Sequence, residues 1–244
     1  MSIPRQPHPL FSVVVPVLRE ADLINALVDN IRVAGYGVPL EILVVDGDPA
    51  GSTLAALRRD DVIALTAPRG RARQLNAGAA AARGDNLLFL HADTKLPAGA
   101  FQAAANALDG PADAGAFSLA IRSKHPLLRL IAAGATLRSR LFSLPYGDQG
   151  HFLRRDLFEA LGGYPDIPLM EDVALMQTLA RAGGRIVVLP LHVVTSARRW
   201  QAEGILRTTI RNLTLLTLYG LGVSPRTLAR HYPAMPELPR GSRS

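Results

Sequence analysis

Short apolar segments alternate with helical segments over the first 110 residues, and this alternation restricts the possible folds more than any other feature of the chain. The apolar segments are 10–17, 40–46, 62–67 and 87–90. Each is followed by a segment with helical composition or periodicity, at 20–34, 53–60, 71–83 and 98–109. Short apolar runs bounded by turn residues are typical of strands buried on both faces. The alternation therefore predicts a parallel α/β sheet with helices on both faces.

The same kinds of segment continue after Gly110 in a less regular order. Strands are predicted at 115–122, 150–156 and 185–194, and helices at 126–144, at 171–182 and from about Gln201. No linker interrupts residues 1–232, which we interpret as one domain. The end of the chain, 233–244, is rich in proline and is predicted to be a disordered tail.

Composition limits the available chemistry and the compartment. The chain has no cysteine, which excludes disulfides and cysteine nucleophiles and is consistent with the cytoplasm. Residues 1–11 lack the apolar region of a signal peptide, and the longest apolar stretch, 213–223, is shorter than the roughly 20 residues that span a bilayer. The formal net charge is +7, and almost all of the positive charge is arginine. This favours phosphorylated ligands, anionic lipid or nucleic acid.

Polar residues follow the predicted strands where each strand ends. Glu20 comes after the first strand, Asp46 ends the second, and His91 and Asp93 follow the fourth. Ligands of open parallel sheets bind beyond the carboxyl ends of the strands, so these groups are candidates for one site. Asp46 is equally compatible with a turn or a cap in the loop that follows it, and Asp93 or Thr94 with the cap of the next helix.

Arg69, Arg71 and Arg73 lie at the start of the alanine-rich helix predicted at 71–83. A helix N-terminus attracts anions, and three cations there are unfavourable unless an anion neutralises them. The pattern favours a phosphate site over the alternative, a solvated basic surface. Asp93 could then hold a divalent metal, Mg²⁺ or Mn²⁺, against a diphosphate, and Mn²⁺ also accepts imidazole ligands such as His91.

Five motifs in this order resemble the family-two glycosyltransferases of the GT-A fold. They are VVPVLRE at 14–20, LVVDG at 43–47, RGRARQLNAG at 69–78, LFLHAD at 88–93 and ED at 171–172. The resemblance covers about residues 11–200. It implies a mixed, mostly parallel α/β sheet flanked by helices. The implied parts are a nucleotide-sugar-binding half at about 11–110, an acceptor-side catalytic half at 111–200 and a C-terminal amphipathic helix at 201–222.

The resemblance also implies roles for individual residues. Contact with the nucleotide-sugar donor is expected from Pro16, Glu20, Asp46, Arg69, Arg71, Arg73, Asn76, His91, Ala92, Asp93 and Arg199. Asp172 is the implied base for the acceptor hydroxyl, with Glu171 in support. The acceptor-side candidates are Asp148, Gln149 and Trp200.

Three departures from the family pattern modify this interpretation. His91 takes the place of the first aspartate of the Asp-x-Asp motif, so metal binding depends on Asp93. Gly47 follows Asp46 where a second aspartate is usual. Ser196 replaces the glutamine of a Gln-x-x-Arg-Trp motif, which favours transfer of one sugar at a time over polymer synthesis.

Several of these residues also fit purely structural roles. Glu171 and Asp172 could be ordinary acidic residues in the first turn of a helix. Asp148 and Gln149 lie between two glycines that allow close approach of a ligand, or form a plain turn. Trp200 is either a core residue or a site residue.

The helices at 126–144 and from Gln201 are amphipathic and carry arginines, as do helices that lie in a membrane interface. The alternative is packing on the sheet with solvated arginines, which we expect for most of their apolar area. Peripheral contact with the cytoplasmic face of an anionic membrane, where one helix would reach a lipid-linked acceptor, stays as a hypothesis.

Two other functions compete with glycosyl transfer. A sugar-phosphate nucleotidyltransferase would carry a glycine-rich signature after the first strand, where this chain has PVLRE at 16–20. A non-catalytic binder of nucleic acid or membrane would leave the carboxylates at the strand ends unexplained. The few aromatic residues do not alternate with a basic stripe, so nucleic acid is not expected as a partner.

Overall fold

The computed structural model describes residues 8–232, in which strands and helices alternate around a single sheet. The strands are β1 Phe11–Val17, β2 Leu40–Asp46, β3 Val62–Thr66, β4 Asn86–Phe89, β5 Ala114–Arg122, β6 His151–Arg154 and β7 Ile186–Ser196. The helices are α1 Ala21–Ala34, α2 Arg71–Ala81, α3 Ala100–Asp109, α4 Pro126–Phe142, α5 Arg155–Ala160, α6 Glu171–Arg181, α7 Arg198–Glu203, α8 Ile205–Gly220 and α9 Pro225–Ala229. Single 3₁₀ turns occur at Leu54–Ala56 and Gly147–Gln149. In the described part of the chain, no helix has the length and apolarity needed to cross a bilayer.

The seven strands form one sheet in the order β3-β2-β1-β4-β6-β5-β7. β6 runs antiparallel to its neighbours β4 and β5, and the other neighbouring strands are parallel. The predicted mixed, mostly parallel α/β sheet is therefore confirmed. Because β6 is antiparallel, its first residue, His151, pairs with Phe89 at the end of β4. The loop before β6 thus lies at the edge where the parallel strands end.

The core lies on both faces of the sheet. Val13 and Val15 of β1 join a cluster that includes residues of α1 and α3, whereas Val14 joins a cluster that includes residues of α2 and α6. This division follows from the alternation of side chains along a strand. Both clusters contain residues from before and after Gly110, so the two halves of the chain share one core.

The structure differs from the predicted elements at three places. The helix expected at 53–60 is only a 3₁₀ turn, and the N–H groups of Thr53 and Leu54 at its start donate to the Asp46 carboxylate. The strand expected at 150–156 ends at Arg154, where the unpredicted α5 begins. The C-terminal helix expected from Gln201 is three helices, and Gly204, with a φ of 89°, separates α7 from α8. The predicted disordered tail, 233–244, lies outside the described residues.

The two basic amphipathic helices bury part of their apolar area, including Leu128 and Leu215, and leave another part exposed. Large apolar residues on α4 and α8 are exposed, with Leu141 at 69% and Leu206 at 65%. α4 packs on the core through Leu128 and Ala132, and its inward side also carries two polar contacts. Thr136 accepts a hydrogen bond from the Leu119 amide (2.9 Å) and Ser139 donates one to Gln149 (2.6 Å). Leu130, Leu137 and Leu141 lie on the outward side.

Candidate active site

The first residues of α2 and α6 meet at the carboxyl edge of the sheet, where Arg71 and Glu171 form an ion pair. Burial alone would lower the pKa of the Arg71 guanidinium, but the charges of Glu171 and Asp172 raise it well above its usual range. Arg71 therefore carries a permanent positive charge. The other two arginines of the predicted cluster lie elsewhere: Arg69 is exposed, and Arg73 pairs with Asp166 at 2.9 Å on the surface.

Asp172 is held by hydrogen bonds from two backbone N–H groups. Gly147 donates to Oδ2 at 2.7 Å and Val173 donates to Oδ1 at 2.8 Å. Burial would raise the pKa of Asp172, but the Arg71 charge, His151 and these N–H groups lower it. Asp172 is consequently ionised at neutral pH. A carboxylate can accept about four hydrogen bonds, so each oxygen still has capacity for a ligand.

Asp148, in the turn before β6, differs from Asp172 in its surroundings. Its Oδ1 is buried and has no hydrogen-bond partner among the described residues. Burial and the nearby Asp172 charge raise the pKa of Asp148 to about 6, although Arg138 opposes the shift. The Arg138 guanidinium lies 3.4 Å from the centre of the Tyr146 ring. Asp148 is thus a carboxyl group near its titration point.

His91 and Asp93 follow β4, as the sequence predicted, and Ala92 between them is buried in the core. Burial and the Arg71 charge lower the pKa of His91 to about 4, against the opposing effect of Asp93 and Asp172, so the imidazole is neutral at pH 7. Asp93 accepts a hydrogen bond from Arg198 at 3.2 Å.

Arg198 contacts two of the predicted site residues, and sequence reasoning missed it. It also donates to both oxygens of Glu20, at 3.1 and 3.2 Å, so Glu20 and Asp93 share one guanidinium. Because of the motif at 196–200, the donor contact was predicted for the adjacent Arg199. Arg199 instead pairs with Glu203 and lies over the ring of Tyr232. The pair of consecutive arginines was the available signal, and the start of α7 at Arg198 decides which of them reaches Asp93.

Three predicted site residues hold loops in place. Asp46 is fully buried and accepts hydrogen bonds from the amides of Asp48, Thr53 and Leu54, which is the turn-and-cap alternative. Asn76 exchanges two hydrogen bonds with the backbone of Tyr164, and Gln149 is fully buried with hydrogen bonds to Ser139, Tyr146 and Phe117. The predicted ligand contacts of these three residues and of the half-buried Pro16 stay untested.

A pocket of about 240 Å³ brings the remaining candidates together. The predicted residues that line it are Arg71, His91, Asp93, Asp148, Asp172, Arg199 and Trp200. The indole N–H of Trp200 donates to Thr209 at 3.3 Å. Sequence analysis did not identify Asn212 of α8, which also lines the pocket and whose Oδ1 is buried without a partner in the described structure.

Comparison with known proteins identifies the family of this chain. The model of the family described as glycosyl transferase family 2 matches residues 12–158, more than half of the chain. This chain belongs to glycosyltransferase family 2. A search of curated proteins finds no match.

Solved structures share the fold of this family 2 glycosyltransferase. The mannosyltransferase PcManGT from Pyrobaculum calidifontis, solved with GDP-Man and Mn2+, has a TM-score of 0.65 at 23% identity, over 93% of this chain and 66% of PcManGT. TarS from S. aureus, solved with UDP-GlcNAc, has a TM-score of 0.58 at 18% identity, over 76% of this chain and 58% of TarS. The glycosyltransferase therefore spans less than two thirds of either of these neighbours.

The side chains of this glycosyltransferase can supply few ligands to a metal ion. In residues 8–232, no group of three or more histidine or acidic side chains is arranged to hold one. The pocket does contain a carboxylate, Asp93, and a neutral imidazole, His91, which suit an open site that substrate phosphates and water complete. These two residues fit a divalent metal whose other ligands come from the substrate.

Proposed function

We propose that this glycosyltransferase moves a sugar from a nucleotide-diphosphate donor to an acceptor hydroxyl by a single displacement with inversion. The observation that carries the proposal is the pocket in which Arg71, Asp93 and Asp172 converge at the carboxyl edge of the sheet. The complexes of PcManGT with GDP-Man and of TarS with UDP-GlcNAc support a nucleotide-sugar donor. They carry different bases and sugars, so the donor of this enzyme is left open.

In the proposed reaction the acceptor oxygen attacks the anomeric carbon while the bond from that carbon to the diphosphate breaks. Asp172 takes the acceptor proton as general base, a role that requires an ionised carboxylate within reach of the hydroxyl. Two observations support this role: its pKa is lowered, which keeps the carboxylate ionised, and the amides of Gly147 and Val173 fix its position. Glu171 supports the site through its ion pair with Arg71.

Arg71 stabilises the negative charge that develops on the departing diphosphate. Arg71 accelerates transfer if its contacts with the diphosphate become stronger while the bond to the anomeric carbon breaks. Arg199, also in the pocket, is the second candidate for this contact. A divalent metal held by Asp93 and His91 would supply further positive charge at the diphosphate.

The unpaired oxygens of Asp148 and Asn212 are the proposed contacts for hydroxyl groups of the sugar or the acceptor. Buried polar atoms without partners are uncommon, and both of these line the pocket. Ser196, at the end of β7, stands where processive relatives have glutamine, and we propose that one sugar is transferred at each encounter.

A thermal-shift panel of nucleoside diphosphates, each with and without Mn²⁺, tests the donor and the metal together. We expect one nucleotide to raise the Tm, and to raise it more with metal, because a ligand that binds the folded state stabilises it. If no nucleotide changes the Tm under either condition, the proposed donor class is wrong. Mass spectrometry of products would then show whether one sugar or several are added.

A further inference from the structure

Large exposed apolar residues are concentrated on α4 and α8. The exposed residues are Leu130, Leu137, Leu141 and Phe142 on α4 and Leu206, Ile210 and Leu213 on α8. Leu206, Ile210 and Leu213 have the i, i+4, i+7 spacing that places them on one side of a helix. The two helices contact each other. Exposed large apolar residues grouped on two contacting helices indicate an interaction site.

The charges on these helices select the type of partner. Neither 126–142 nor 205–220 contains aspartate or glutamate, whereas the two segments contain five arginines. Arg129, Arg140 and Arg207 are exposed, and none of them pairs with an acidic side chain in the described structure. A second copy of the chain docked on the same face would bring like charges together without compensation. An anionic surface compensates them.

A groove of about 560 Å³ adjoins the outward face of α4, between this helix and strands β5 and β7. Arg129, Arg140 and Leu137 belong both to the groove and to the exposed face. The groove therefore combines apolar walls with two guanidinium groups. This combination suits an anionic headgroup with its attached acyl chain, because arginine binds phosphate while its stem stays in apolar contact.

We propose that the outward faces of α4 and α8, with this groove, dock the enzyme on an anionic lipid bilayer. The leucines, Phe142 and Ile210 enter the boundary between headgroups and acyl chains, and the arginines contact lipid phosphates. α8 also forms part of the pocket wall through Asn212 and Leu215. In the docked enzyme, α8 would therefore contact the membrane on its outward side and the pocket on its inward side. The inference concerns binding and does not depend on the proposed transfer reaction.

Vesicle co-sedimentation of the full chain, without nucleotide, tests the proposal. We expect binding to vesicles of phosphatidylcholine mixed with phosphatidylglycerol, and weaker binding to phosphatidylcholine alone. Leu141→Gln with Ile210→Gln should weaken binding about tenfold or more, from the lost burial of two large side chains. Arg129→Gln with Arg207→Gln should weaken binding to the anionic vesicles roughly fivefold per arginine and reduce its salt dependence.

Val33→Gln with Tyr36→Gln is the matched control, because these apolar residues are equally exposed but lie at the end of α1. This variant should bind vesicles like the wild type. The proposal is overturned if the wild type binds neither vesicle at low salt, or if the control loses as much binding as the α4–α8 variant. Concentration-dependent dimerisation that the Leu141 and Ile210 substitutions abolish, without vesicle binding, would instead assign the surface to a second copy.

Discussion

At the scale of single residues, the site separates two carboxyl groups by their surroundings. Asp172 accepts two backbone hydrogen bonds and is close enough to Arg71 for its pKa to be lowered, whereas Asp148 has an unpaired, buried oxygen and a pKa raised to about 6. Different surroundings give neighbouring acids different protonation states, which is a common property of catalytic sites. The two residues should therefore respond differently to the same Asp→Asn change.

Asp172→Asn should abolish transfer and leave nucleotide binding nearly intact. The amide cannot take the acceptor proton, and loss of a general base lowers kcat roughly 10²- to 10⁴-fold. Transfer assays and calorimetric titration with the nucleotide identified by thermal shift would measure the two effects separately. Asp166→Asn, an exposed position in the segment before α6, is the control and should retain activity. A large loss of nucleotide affinity in Asp172→Asn would move this residue to the donor side.

Asp148→Asn should stabilise the protein in a pH-dependent manner. The pKa of Asp148 is about 6 in the folded state and about 4 in an unfolded chain, so its contribution to stability is present below pH 4 and is lost as the pH rises through 6. Asparagine cannot ionise, so its stability relative to the wild type should rise with pH, by of the order of 1–3 kcal/mol from pH 4 to pH 7. Tm measurements of both proteins across this range test the expectation. A Tm difference that is the same at every pH would contradict it, and the exposed Asp60→Asn should show no such gain.

At the scale of elements, the site depends on where helices and strands begin and end. α2 begins with Arg71 and α6 with Glu171, so their ion pair joins the two helices. A cation is unfavourable at a helix N-terminus, and the Glu171 carboxylate offsets this cost. Met170, immediately before α6, adopts a left-handed backbone with a φ of 67°. Such strain in a non-glycine residue is frequent at functional sites.

The orientation of α4 can be tested with two leucines that are two positions apart and lie on opposite sides of the helix. Leu128 is 2% exposed and Leu130 is 68% exposed. Leu128→Ala should lower the free energy of unfolding by about 2–4 kcal/mol, because it leaves a cavity in the core. Leu130→Ala should change it by less than about 0.5 kcal/mol. Urea denaturation of both variants measures the difference, and equal losses would mean that α4 is turned differently.

At the scale of the whole molecule, the two halves of the chain share their core. The first cluster combines Phe11 with Phe117, and the second combines Val14 with Leu153. If the strands of one half unfolded, apolar side chains of the other half would become exposed to water. The site has the same property, since Arg71 comes from the first half and Asp172 from the second.

We therefore expect one cooperative unfolding transition for the described part of the chain. Trp200, the only tryptophan, lies in the pocket wall in the second half, so its fluorescence reports on that half. Far-UV circular dichroism reports on both halves, and the two thermal midpoints should coincide. Separate midpoints would show that the two halves of the chain unfold independently.

The sequence by itself determined the sheet, most of its strands and the region of the site. These follow from local patterns: apolar runs form buried strands, and polar residues at the strand ends collect at one edge. The family and its activity also follow from motifs whose order is visible along the chain. His91, Asp93, Arg71 and Asp172 were placed in one site on this basis, and the pocket contains all four.

Only the tertiary structure decided which side chains complete the site and which faces stay outside. Arg198 rather than Arg199 reaches Asp93, 105 residues away, because of where β7 ends and α7 begins. Asp46 accepts hydrogen bonds from amides of its own loop, as the turn-and-cap alternative predicts, and its predicted donor contact stays untested. α4 buries Leu128 but exposes Leu130 and Leu141, and its inward side is the one on which Thr136 and Ser139 form hydrogen bonds with Leu119 and Gln149. Periodicity identifies an apolar face, but the partner that covers it is determined by contacts remote in sequence.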